Sequence, residues 1–351
     1  MTALRAIVLI CLASFAPTIV AGCATPPGVL FEPDTAKHEW PPPPDEPRIR
    51  YLGSLRSAED LKPGASGAEA VLQFLFGQER VEGLVNPIGV SGDGGDRIFI
   101  VDSGARLLHV YNLKTREHAR WAPPPKENHF VQPIAVAFDP VGQRVLVSDS
   151  AASVLFAFDV KGKFLGTLGE GSLKRPCGLV VRPTSGEIYV ADSEQHQILV
   201  LAADGRELRR IGGRGGEPGR FNFPTQVAFD GEGRLYVSDS LNFRVQEFGP
   251  DDEFIRQIGR KGDMPGYFSQ PKGLALDPED HLYVVDANFE SVQLFDPEGS
   301  LLMAFGHEGH GPGEFWLPVG IFIDRDARVW VADSFNRRIQ VFQYMPAGVT
   351  P

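Results

Sequence analysis

Leu235-Tyr-Val-Ser-Asp239 is a short run of strand-forming residues closed by an aspartate, and the 351-residue chain carries six such runs. The others are Ile98-Phe-Ile-Val-Asp102, Val145-Leu-Val-Ser-Asp149, Ile188-Tyr-Val-Ala-Asp192, Leu282-Tyr-Val-Val-Asp286 and Val329-Trp-Val-Ala-Asp333. Their aspartates are 47, 43, 47, 47 and 47 residues apart. A period of that length, built from short strands, describes sheet units that stack or ring an axis rather than one ordinary globular core.

Working outward from Asp239, the whole unit can be read. Pro224-Thr-Gln-Val-Ala-Phe-Asp230 is an inner strand rich in apolar and β-branched residues, and Gly231-Glu-Gly233 turns the chain into Leu235–Asp239. Asp239-Ser-Leu-Asn242 is a tight turn in which the Asp and Asn side chains can bond nearby backbone amides. Arg244-Val-Gln-Glu-Phe248 is a third strand, Gly249-Pro-Asp-Asp252 a further turn, and Phe254-Ile-Arg-Gln-Ile258 the outer strand before a glycine-rich return to Pro271. Four antiparallel strands make one blade, and a ring of blades leaves no sheet face uncovered. The expected fold is therefore all-β: a six-bladed β-propeller of four-stranded antiparallel blades.

Ring closure makes a further demand. After Asp333 the chain supplies Arg338-Ile-Gln-Val-Phe342 and no outer strand for the last blade. Arg48-Ile-Arg-Tyr-Leu-Gly-Ser-Leu55 resembles the outer strands Lys163-Phe-Leu-Gly-Thr-Leu168 and Glu253-Phe-Ile-Arg-Gln-Ile258, and is expected to close that blade from the N-terminal side. The propeller is assigned to residues 48–345, with 346–351 as a tail. One segment breaks the repeat: Ser66-Gly-Ala-Glu69 fits a capping box, Ala68, Val71, Leu72 and Leu75 share one helical face, and Gly77 stops it, so one short extra helix is expected over 66–77.

The repeats resemble the NHL repeat family on Pro271-Lys-Gly-Leu-Ala275, Tyr283-Val-Val-Asp286 and Arg338-Ile-Gln-Val-Phe342, with the likeness running over residues 48–344. Together with Trp40-Pro-Pro-Pro-Pro-Asp-Glu-Pro-Arg-Ile-Arg-Tyr-Leu-Gly-Ser54, the layout is similar to bacterial NHL-repeat lipoproteins. The first two blades depart from the pattern, with Ala105 and Ala152 where others have Asn242 or Asn336, so looser turns are expected there.

Residues 1–22 carry one positive charge, Arg5, and then an apolar run of signal-peptide length that ends in Ile19-Val-Ala-Gly-Cys23. That ending resembles a lipobox, which implies lipidation of Cys23; the plainer alternative is a secretory signal with a chance cysteine. Residues 23–47 turn to proline, including Pro41 to Pro44 in succession, and read as a semi-rigid tether. The expected location is a bacterial cell envelope, lipid-anchored and facing the periplasm, with Ala24 after the cysteine favouring the outer over the inner membrane. A net charge of −11, one unit more negative without Arg5, makes nucleic acid a poor partner. Of three cysteines only Cys177 would remain a thiol, so no internal disulfide is available. At the entrance of an inner strand it reads as a small buried hydrophobe rather than a metal or redox thiol.

Amidating-lyase propellers hold their metal through histidines just after the inner-strand proline. The corresponding positions here are Ile88, Ile134, Cys177, Thr225, Lys272 and Val319, none of them histidine. His307 and His310 lie three apart in a glycine-rich loop, short of the three or four converging ligands a zinc site needs. The carboxylate and asparagine set of calcium-dependent lactonases is not recognisable. The six aspartates read as turn caps, so no metal and no cofactor are expected. The glycine-rich Ile211-Gly-Gly-Arg-Gly-Gly-Glu-Pro-Gly219 matches the returns at Gly259 and Gly306 and is not a phosphate loop.

A surface argument remains. The returns bring Phe130, Arg175, Phe221, Phe268, Phe315 and Trp316 toward one mouth of the channel. The recurring phenylalanines read as packing between blades, whereas Arg175, Gln226, Lys272 and Trp316 break the repeat and are the candidate ligand-binding residues. The functional expectation is a non-catalytic scaffold for another envelope protein, a peptide or a glycan. The alternative is a metal-dependent hydrolase or lyase at the channel mouth.

Overall fold

The computed structural model describes residues 30–31, 38–61, 83–124 and 129–346. Six sheets, each of four antiparallel strands or more, surround a channel, and each inner strand lies beside the inner strands of the blades before and after it, the sixth returning to the first. The inner strands are Pro87–Gly92, Pro133–Asp139, Pro176–Val181, Pro224–Phe229, Pro271–Leu276 and Pro318–Ile323, in blade order. The chain is a six-bladed β-propeller.

Burial within a blade follows from this packing. The two middle strands are covered on both faces by neighbouring blades, so Leu282–Asp286 and Ser291–Phe295 are buried throughout without alternation. The outer strand faces water on one side, and Leu301–Phe305 alternates half-buried with exposed before ending in the buried Phe305. Phe221, Phe268 and Phe315 are buried packing residues, as expected of a recurring position. In the sixth-blade return the Phe315 ring occupies the space a Cβ on Gly306 would need, and Gly306 itself sits at φ +87°, so only glycine fits there.

The closure from the N-terminal side is present. Ile49–Leu55 pairs antiparallel with Arg338–Tyr344, from Ile49 opposite Tyr344 to Leu55 opposite Ile339. Glu39–Trp40 adds a fifth strand outside it, and the Trp40 indole packs on Phe305 and Phe342 at ring separations of 6.1 and 5.9 Å. From the aspartate turn of the same blade the Ser334 hydroxyl donates to the Pro87 carbonyl of the first blade at 2.7 Å. The helix expected over 66–77, the signal segment 1–22 and Cys23 lie outside the described residues. Among those described, no helix is long and apolar enough to cross a membrane.

The six aspartates are buried turn caps. Asp149 accepts from the backbone N–H groups of Val131, Gln132, Ala151 and Ala152 at 2.7–3.2 Å, tying the return that precedes its inner strand to its own turn. Asp102 does the same for Val85, Asn86 and Ala105. The turns at Ala105 and Ala152 are therefore bonded to their aspartates despite lacking Asn, against the expectation of looseness, because the capping acceptors are supplied by Asp alone.

Candidate functional site

Small residues bring the inner strands together at the waist of the channel. The second position after the inner-strand proline is Gly89, Ala135, Gly178, Gly273 and Gly320 in five blades and Gln226 in the fourth. A Cβ on Gly273 would overlap the Val319 carbonyl, and one on Gly178 would overlap the Gln226 side chain. Gln226 thus packs against Gly178 of the neighbouring inner strand, with its Oε1 accepting from the Val227 N–H at 3.1 Å. It is the one residue shared by the linings of two cavities, one at each end of the channel.

The cavity on the side of the aspartate turns has a volume of about 320 Å³. Ile88, Ile134 and Val319 supply aliphatic wall, and Asn86, Gln132, Cys177, Thr225, Gln226 and Lys272 supply polar groups. The Lys272 amine is partly buried and makes no hydrogen bond or ion pair among the described residues. Burial lowers its pKa, the neighbouring Cys177 opposes that effect, and the positive charge of Arg175 adds to it. The Cys177 thiol, only half buried, points to Ser193 Oγ at 3.5 Å, and burial raises its pKa so that it stays protonated. It is a small residue of the cavity wall.

Of the four candidate residues, Gln226 and Lys272 line this cavity and Arg175 is an exposed side chain whose charge reaches Lys272 and Cys177. Trp316 lies outside the lining. It is 43% exposed on the rim beside Phe335, itself 50% exposed, with the rings 5.3 Å apart and near-perpendicular. His310 packs on the other side of Trp316 at 5.3 Å, and its Nδ1 faces Asn336 Oδ1 at 2.5 Å. His307 is exposed, 3.7 Å from Glu314. Among the described residues no three His, Cys, Asp or Glu side chains converge as metal ligands.

Sequence reasoning passed over Asn86 and Gln132. They sit just before the inner-strand prolines of the first two blades, a place signalled by the same register that picked out Arg175 in the third. The opposite cavity, about 430 Å³, was also not foreseen; Phe138, Phe229 and Phe322 give it an apolar wall.

The model of the DUF5128 family, described as a 6-bladed beta-propeller, matches residues 276–345. Among solved structures, an auxiliary nutrient binding protein from Bacteroides thetaiotaomicron superposes with a TM-score of 0.60 at 12% identity, covering 75% of this chain and 70% of that one. A virginiamycin B lyase from Staphylococcus aureus superposes with a TM-score of 0.54 at 14% identity, over 74% of this chain and 95% of the other. A chain of a nidogen/laminin complex gives 0.54 at 17% identity, over 73% and 92%. At these identities the likeness shows the propeller fold and nothing about chemistry.

Proposed function

We propose that the protein is an extracytoplasmic binding propeller of the NHL-repeat lipoprotein type, non-catalytic, held to a bacterial outer membrane through Cys23 and a proline-rich tether. The observation that carries the binding reading is the cavity at the aspartate-turn mouth, where Gln226 lies in the lining beside a Lys272 amine that makes no hydrogen bond or ion pair among the described residues. Burial holds its Cys177 thiol protonated, and the thiol's hydrogen-bond contact is the Ser193 hydroxyl. The partner is an envelope protein, a peptide or a glycan, and the acidic chain is a poor match for nucleic acid. The lipid anchor rests on Ile19-Val-Ala-Gly-Cys23.

A photocrosslinking side chain at Arg175 or Trp316, activated in intact envelopes, tests the reading. Crosslinked species should appear and be lost when Gln226 and Lys272 are changed to Ala in the same chain. An unchanged crosslinking pattern in that double variant would remove the mouth from consideration as the binding site. Stoichiometric zinc or calcium in the purified protein would favour the hydrolase or lyase reading instead.

A further inference from the structure

Building on the binding reading, we infer that the aspartate-turn mouth captures the free carboxy-terminus of a peptide or protein, with Lys272 taking the carboxylate and Asn86 and Gln132 the last peptide group. Three features of the site lead there.

The first is charge. Lys272 has no acidic partner among the described residues, and Arg175, whose charge also acts on it, is of the same sign. In a chain of net charge −11, the partly buried Lys272, left without a carboxylate among the described residues, is an unmet electrostatic demand, and the exposed Arg175 adds charge of the same sign. Asp192, the carboxylate whose field reaches Cys177, is buried and already accepts from the Lys174, Arg175 and Gln195 backbone N–H groups and from Gln195 Nε2, so it cannot answer that demand. An anionic group from outside can.

The second is shape. Glycines set adjacent inner strands close together at the waist, and Gln226 is the one residue this cavity shares with the cavity at the other end of the channel. At about 320 Å³ the mouth cavity lies near the lower limit of small-ligand pockets and has room for an end, not for a continuous strand or a helix. A chain end that is also an anion is a carboxy-terminus, a group proteins recognise as a class.

The third is the arrangement across the axis. In a six-membered ring the second blade stands opposite the fifth, so Gln132 faces Lys272 over the cavity, with Asn86 beside it on the first blade. Gln132 Oε1 accepts from the Ser150 hydroxyl at 3.2 Å, which fixes the amide and leaves its NH₂ free to donate to a peptide carbonyl. Ile88, Ile134 and Val319 supply an aliphatic surface for the terminal side chain.

The test uses the full-length protein in mild detergent and a pool of N-acetylated random tripeptides made twice, once with free carboxylates and once as carboxamides, with N-acetylalanine as a small-acid control. The free-acid pool should bind about tenfold or more tightly than the amide pool, the discrimination expected of one charge-assisted hydrogen bond. Lys272→Met should abolish the difference, Lys272→Arg should keep it, and Arg175→Gln should reduce it; melting curves of each variant separate lost binding from lost fold. Equal binding of the two pools, or a preference that survives Lys272→Met in a folded protein, overturns the inference. So does N-acetylalanine binding as tightly as the tripeptides, which would make the ligand a small acid. If only the amide pool binds at the mouth, the binding reading survives and this inference does not; if neither pool binds and the envelope crosslinks persist, the partner enters by some other group and the inference again fails.

Discussion

The fourth and sixth blades hold their aspartates differently from the first and second. In the sixth, Asp333 Oδ2 accepts from Arg338 Nε at 2.7 Å and from Gln340 Nε2 at 3.0 Å, and Asn336 Nδ2 reaches the same carboxylate at 3.0 Å. Those three side chains also grip the preceding return: Arg338 donates to the Gly311 and Glu314 carbonyls, Gln340 to that of Glu314, and Asn336 to that of Gly309. Gln340 Oε1 in turn accepts from the Gly313 N–H at 2.9 Å. The fourth blade repeats the pattern with Asp239, Arg244, Gln246 and Asn242. In the second blade Ala152, Val154 and Phe156 occupy the corresponding positions, and Asp149 is satisfied by backbone amides alone. The Arg-x-Gln motif is thus a buried latch between strand and return, and a propeller can omit it wherever apolar packing such as Phe130 on Phe156 fills the same space.

The comparison breaks first if the sixth blade is opened. Deleting residues 48–55 removes the strand paired with Arg338–Tyr344 and exposes Phe342 and Val341, which are fully buried. The expected result is loss of a cooperative melting transition for the entire ring, a cost comparable with the whole stability of a domain, about 5–15 kcal/mol. A deletion variant that melts cooperatively at an unshifted temperature would show that the latch holds the blade without the strand.

Next in size is the contrast between two aspartates. Asp333→Ala strands the buried Arg338 guanidinium without its counter-ion, an expected cost of about 3–5 kcal/mol. Asp149→Ala leaves only neutral amides unsatisfied, for about 1–3 kcal/mol. Denaturant midpoints of the two variants decide the matter, and equal losses would mean that the buried charge is irrelevant to the latch.

These latches also explain what the sequence could and could not disclose. The blade count, the aspartate turns and the closing strand were readable because a 47-residue period repeats each signal, so that Leu282–Asp286 and Leu235–Asp239 support one another. The candidate site was readable only in part, since a binding group is by nature a departure from the repeat. Gln226 and Lys272 stood out because glycine, aliphatic or small residues dominate their register, and both line the cavity. Trp316 stood out equally and lies on the rim with Phe335, because a residue two places before the inner-strand proline has its backbone N–H bonded to Asp333 and its side chain outside the channel. Asn86 and Gln132 did not stand out, since polar residues are ordinary in returns and only the three-dimensional closure brings them into one cavity with Lys272.

Acid should separate the blades as well. In the first blade His109 takes the latch glutamine's place and stacks on His118, whose Nε2 lies 3.0 Å from His109 Nδ1. Burial, then the proximity of His109 and Arg120, lowers the His118 pKa to about 4. A base whose folded pKa lies below its unfolded value of about 6.5 contributes stability above that value and loses it as the pH falls toward 4, because only the unfolded chain gains the proton. Melting temperatures measured between pH 7 and 4 should therefore fall, and His118→Gln should flatten part of the decline. An identical slope in the variant would assign the acid sensitivity to other groups.

The smallest effect expected lies in the latch asparagines. Asn242 Nδ2 donates to the Gly215 carbonyl and to Asp239, both at 2.8 Å, but Asp239 keeps the Asn222 N–H, Arg244 and Gln246 when that amide is removed. Asn242→Ala should thus cost about 1 kcal/mol, the value of a hydrogen bond whose acceptors retain other partners or reach water. Ala152 in the second blade is the natural form of the same change, and its N–H already bonds to Asp149 at 2.9 Å. If Asn242→Ala instead cost as much as Asp333→Ala, the asparagine would be part of the buried charge network, and the second blade would need a compensating contact beyond its aromatic packing.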